Sequence, residues 1–113
     1  MVYGNEVVQC VWEKGRIVPD DDPEVWRKDE CGAWIQRSMY ADRTSQYGWE
    51  IDHLSPGGSE DISNLSPLQW KNSRGKGDGR LICRVTAHGV DNREVNTGTE
   101  SVIEIRGDTS TEN

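Results

Sequence analysis

The chain contains no phenylalanine, and only 33% of its residues are apolar. At 113 residues it has room for one small domain with a modest core. Five tryptophans, Trp12, Trp26, Trp34, Trp49 and Trp70, must then supply much of the apolar mass, and all precede residue 71. No apolar run is long enough to span a bilayer, so a membrane partner is not expected. The start, MVYGNEVVQC, lacks a basic segment followed by an apolar one, and no signal peptide is expected there. Cys-x-x-Cys pairs are also missing, which leaves a structural zinc site without support. Three scattered cysteines, Cys10, Cys31 and Cys83, fit reduced thiols in a cytoplasmic protein, each acting as a small buried apolar residue.

Positive charge is scarce too. The net charge is −7, the wrong sign for binding nucleic acid through bulk electrostatics. Its distribution is uneven. Residues 86–113 hold six acids against two bases. Residues 71–84 hold Lys71, Arg74, Lys76, Arg80 and Arg84 against the single acid Asp78. The local field there is positive although the whole chain is acidic.

Residues 6–18, EVVQCVWEKGRIV, read as a hairpin turning at Lys14-Gly15 or as a short helix, and the β-branched residues favour strand. In PDDDPEVWRKDECG, Asp22 suits an N-cap, Pro23 the first helical position and Gly32 the stop, which predicts a two-turn helix. AWIQRS reads as a short strand and ADRTSQYG as a loop. GWEIDH alternates Trp49 and Ile51 with Glu50 and Asp52, the signature of a strand with one apolar face. LSPGGSEDIS is a loop by its glycine, proline and serine content. Asn64-Leu65 brings the chain back. Ser66, Pro67 and Gln69 then form a capping-box pattern that predicts a helix to about Arg74, ended by Gly75. RLICRVTA and SVIEI have strand character, and HGVDNREVNTGTE between them reads as a long loop.

One stretch carries chemistry: WEIDHLSPGGSEDISNLSPLQWKNSRGKGD, residues 49–78. Phosphodiester hydrolysis needs a base to activate water and a cation to offset charge on the phosphorus centre and leaving oxygen. Hard cations such as Mg²⁺ take oxygen ligands, few of them from protein. Neighbouring strand residues face opposite ways, so Asp52 can hold a metal while His53 reaches the water. A helix packed across the hairpin can add a second ligand. An asparagine behind a long loop, Asn64, can hold that loop's backbone.

The stretch resembles the HNH endonuclease motif of bacterial and phage proteins, the ββα-metal fold. The likeness rests on Asp52-His53, Asn64-Leu65 and Asn72-Ser73-Arg74-Gly75-Lys76-Gly77-Asp78. The upstream DPEVWRKDECGAWIQRSMYADRTSQYGWEIDH extends it, so it covers over half the chain. It implies an α+β fold with a ββα-metal core, an HNH domain over residues 1–80; the residues after it read as a strand-rich or partly disordered extension over 81–113. It implies His53 as general base, Asp52 as metal ligand and Asn64 as the residue orienting loop and base. It implies Mg²⁺, or Mn²⁺, as cofactor and DNA as partner. The last ligand of the family, a histidine or asparagine, stands nine residues beyond the middle asparagine, where this chain has Ser73, with Asn72 one position earlier. Both enter the candidate metal set. Arg74, Lys76 and Arg80 are the candidate phosphate contacts. Two rivals stand beside the nuclease: a non-catalytic DNA- or protein-binding domain on the same scaffold, and an accessory subunit that docks on a protein partner through its acidic C-terminal region.

Overall fold

The structure is a computed structural model that describes residues 3–95. Among those residues it is a small α+β arrangement of one α-helix, two single-turn 3-10 helices and four antiparallel strand pairs. The expected SVIEI strand and most of the acidic C-terminal region lie outside the described residues. Among those described, no helix is long and apolar enough to cross a membrane.

Helix α1 spans Asn5–Trp12, the helical alternative for this segment, although the β-branched residues favoured strand. The helix wins because Val8, Val11 and Trp12 fall on one face and are all buried. They meet Ile35, Trp49 and Leu65 in the core. Packing of that face outweighs propensity differences of a few tenths of a kcal/mol per residue. Trp12 and Trp49 pack at a tilt of 45° with ring centres 5.4 Å apart, and the Trp12 indole donates to the Pro23 carbonyl at 2.9 Å. The tryptophans do not all share this core. Trp26, Trp34 and Trp70 are only half-buried.

Strands β1 (Trp26–Lys28) and β2 (Trp34–Gln36) pair antiparallel, Arg27 opposite Ile35. The helix predicted after Asp22 is a single turn: the Asp22 carbonyl accepts from the Val25 and Trp26 amides, and the chain then extends into β1. Asp29 explains the switch. One carboxylate oxygen accepts the Cys31 and Ala33 amides at 2.9 and 2.8 Å, closing a turn completed by Gly32 at φ +80°.

Strands β3 (Trp49–His53) and β4 (Leu65–Gln69) form the central hairpin, Trp49 opposite Gln69 and His53 opposite Leu65. Gly48 leads into it where only glycine fits, since a β-carbon there would lie 1.8 Å from the Asp42 carbonyl oxygen. The helix predicted for Ser66 to Arg74 does not form. Ser66, Pro67, Leu68 and Gln69 are all buried in β4. The Gln69 amide, which a capping box would use locally, instead donates to the Asp29 carboxylate at 2.8 Å. After a tight turn, β5 (Ser73–Arg74) pairs with β6 (Leu81–Ile82). The α element of the expected ββα core is therefore replaced by a short ribbon.

Strands β7 (Val85–His88) and β8 (Asp91–Glu94) make a hairpin about Gly89; β7 lies in the predicted RLICRVTA strand, whereas β8 forms where a long loop was predicted. Asn92 fastens it to β2, accepting from the Trp34 amide at 2.7 Å and donating to the Trp34 carbonyl at 2.9 Å. The cysteines also depart from expectation. Cys31 and Cys83 form a disulfide across 52 residues, and Cys10 is an exposed free thiol rather than a buried one.

Candidate functional site

Strand β3 ends at Asp52-His53 beside an open cleft of about 510 Å³. Asp52, His53, Pro56, Gly57, Ser73, Arg74 and Lys76 border it. Five of the eight residues expected at a site are thus neighbours: Asp52, His53, Ser73, Arg74 and Lys76. Strand pairing brings Asp52 opposite Ser66. The β5 backbone then closes on the aspartate, with the Arg74 amide donating to Oδ2 at 3.2 Å and the His53 amide to Oδ1 at 2.9 Å. Each oxygen keeps a lone pair free of those bonds.

Asn64 ties the connecting loop down. Its Oδ1 accepts the Ser55 amide at 2.9 Å, and its Nδ2 donates to the Ser59 carbonyl at 2.8 Å. Its own carbonyl accepts the Leu54 amide at 2.8 Å. Loop backbone lacking strand partners is satisfied by one side chain. Gly58 lies against it, where a β-carbon would come within 2.8 Å of Asn64 Nδ2.

Two residues outside the expected set hold His53. Glu60 Oε2 is 2.8 Å from His53 Nε2, and the Tyr3 hydroxyl donates to Glu60 Oε1 at 2.7 Å. The Tyr3 and His53 hydrogen bonds keep the Glu60 carboxyl below its ordinary value. Burial, reinforced by that carboxylate, pushes the Tyr3 hydroxyl up to about 12. An ionised Glu60 draws the imidazole proton to Nε2 and leaves Nδ1 as an acceptor. Glu60 has a weak signal in the sequence, an acid in the loop following the Asp-His pair. Tyr3, 57 residues distant, has none.

Asn72 stands elsewhere. It is 4% exposed and does not border the cleft. Its Oδ1 accepts the Arg84 and Val85 amides at 2.7 and 3.0 Å. Its Nδ2 donates to Asp29 Oδ2 at 3.0 Å and to the Val85 carbonyl at 3.2 Å. All four hydrogen-bonding positions of the amide are occupied. Asp29 is the other half of this hub, with four N–H donors on a carboxylate 2% exposed. Burial raises the Asp29 carboxyl from its ordinary value, and those donors oppose the shift.

The basic residues separate as well. The Arg74 guanidinium is paired with Glu30 and donates to the Gly79 carbonyl. Lys76 and Arg80 are exposed, and Arg80 lies 3.7 Å from Asp78, outside the cleft lining.

The donor set suits a hard cation that keeps most of its water. Asp52 supplies carboxylate oxygens and Ser73 a neutral hydroxyl beside the same cleft. Among the described residues no three histidine, cysteine or acidic side chains converge on a common point. A Mg²⁺ held by one or two protein oxygens does not require such a group. The chain matches no protein-family model, no curated protein and no solved structure.

Proposed function

We propose that this protein is a divalent-metal-dependent endonuclease of the HNH type, acting on DNA phosphodiester bonds. The observation that carries the reading is one cleft bordered by Asp52, His53 and Ser73, beside a loop pinned by Asn64. In this reading the β3–β4 hairpin and its loop correspond to those of the ββα-metal arrangement, and the β5–β6 ribbon takes the place of its helix.

In this reading His53 is the general base. Glu60 fixes the ring and its tautomer, so Nδ1 takes the proton of the attacking water. Asp52, with Ser73 beside it, would hold the Mg²⁺ or Mn²⁺. When bound, the ion supplies charge stabilisation at the phosphoryl and leaving oxygens. Asn64 keeps the loop, and with it Glu60, in register with His53. Lys76 is the exposed cation of the cleft available to a phosphate. Arg74 contributes its backbone amide to Asp52, while its side chain answers Glu30.

A specific observation favours the second reading, a non-catalytic DNA- or protein-binding domain. Asn72 is consumed by structural hydrogen bonds, so Ser73 alone stands where the family has an amide or imidazole ligand. Plasmid nicking with Mg²⁺ or Mn²⁺, against EDTA, separates the two. The nuclease reading expects metal-dependent nicks that fall about 100-fold or more in a folded His53→Ala variant. Wild-type protein that nicks nothing with either metal leaves the binding-domain reading in its place.

A further inference from the structure

Outside the core and the cleft, three aromatic side chains form an open box. Trp26 and Trp34 are on the outer face of β1–β2, and Tyr47 comes from the loop before β3. Trp34 stands at 77° to Trp26 with ring centres 5.9 Å apart. Tyr47 stands at 85° to Trp26 with centres 4.8 Å apart. Both rings thus stand nearly square to Trp26. With Asp21 and Val90 they enclose about 210 Å³. That is below the roughly 300–1,000 Å³ of sites for drug-sized molecules, so the box suits a chemical group rather than a whole ligand.

The walls are set before anything binds. The Trp34 indole donates to the Gly89 carbonyl, and the Tyr47 hydroxyl to the Val90 carbonyl, both at 2.7 Å. Both polar tips are tied to the β7–β8 turn, which leaves these two side chains few loose rotamers to order on binding. The rim is acidic. Asp21 is the one charged residue lining the box. It follows Asp20, whose backbone is in the left-handed region at φ +76°, in a turn closed by the Asp21 amide on the Val18 carbonyl. Asp91 lies 3.4 Å from the Tyr47 hydroxyl. Lys28 borders a different hollow and stands with Nζ 4.7 Å from the Trp34 ring centre.

We propose that Trp26, Trp34, Tyr47 and Asp21 form a binding site for a trimethylammonium group. Electron-rich ring faces attract a cation whose charge is spread over methyl groups, and the Asp21 carboxylate adds to that attraction. An unmethylated ammonium loses more hydration on entering the same box and binds less well. The site does not depend on the nuclease reading, since none of its residues borders the cleft.

The test is titration of the whole chain, followed by tryptophan fluorescence and indole N–H resonances at constant ionic strength. The probes are choline, its neutral isostere with carbon in place of nitrogen, and two otherwise identical peptides bearing lysine or trimethyllysine. Choline or the trimethyllysine peptide should bind about tenfold more tightly than its uncharged or unmethylated counterpart. Whichever of the two binds more tightly identifies the source of the group. Asp21→Asn, at an exposed position, should weaken binding severalfold while leaving the fold unchanged, and Trp34→Leu should weaken it about tenfold or more. Lys28→Met should strengthen it by removing a like charge. Equal affinity for choline and its neutral isostere overturns the proposal. So does tighter binding of a neutral proline-rich peptide, which would make the box a polyproline groove.

Discussion

Replacing Asn72 tests whether the amide belongs to the scaffold or to a metal. Asn72→Ala removes the acceptor of the Arg84 and Val85 amides and the donor to Asp29 and the Val85 carbonyl. Val85 is 3% exposed, so its amide has little access to water once orphaned. A buried group left without a partner costs about 1–3 kcal/mol. Two orphaned amides, one of them at the more accessible Arg84, give a loss of about 3 kcal/mol. That is a large share of the 5–15 kcal/mol typical of a whole domain. With a urea slope of about 1–3 kcal/mol per molar, the unfolding midpoint should fall by about 1–3 M. Asn72→Asp sharpens the test. It keeps one acceptor oxygen but sets the other against Asp29 Oδ2, now 3.0 Å from the amide nitrogen. Two carboxylates that close share a proton, so this variant should recover stability as the pH is lowered towards 4. An exposed metal ligand would behave otherwise: Asn72→Ala would leave the midpoint unchanged and abolish metal-dependent activity, and Asn72→Asp would be tolerated. A midpoint loss worth less than about 0.5 kcal/mol refutes the hub.

The Cys31–Cys83 bond closes 52 residues, which corresponds to about 4 kcal/mol in the chain-entropy account. Reduction, or Cys83→Ala, should therefore lower the urea midpoint by more than about 1 M; oxidised protein should titrate one free thiol, and three free thiols without a reductant would refute the bond. Burial raises the Asp29 carboxyl, so the folded state holds the proton more tightly than the unfolded chain does. The stability due to Asp29 is then fully present below its ordinary value and is lost as the pH rises through the raised one. The midpoint difference between wild type and Asp29→Asn should change in that sense between pH 3 and neutrality, and a difference that grows with rising pH contradicts the assigned direction. Ser73→Asn should restore an amide oxygen to the cleft and raise the nicking rate or the Mg²⁺ affinity; an active wild type that gains nothing from the change shows that Ser73 already suffices.

Period-two alternation made β3 readable, because one face of Trp49 to His53 has to meet the core. Glycine, proline and serine marked the loop after it, and a side chain able to bind its backbone, Asn64, stood at its end. Asp52 and His53 were likewise legible as the end of that strand, and both border the cleft. The segment from Ser66 to Arg74 was not legible. Its cap residues speak for a helix with about 1 kcal/mol each, a local preference that five paired residues against β3 and the Asp29 carboxylate override. The same competition placed α1 where β-branched residues suggested strand, because its spacing could bury Val8, Val11 and Trp12 together. The disulfide, the Asn72–Asp29 hub, the Tyr3–Glu60–His53 chain and the aromatic box all join residues far apart in the chain. Local propensity carries no term for such meetings. They exist only once the hairpins have packed, and at the buried Asn72–Asp29 hub the desolvation of each polar group makes its distant partner necessary.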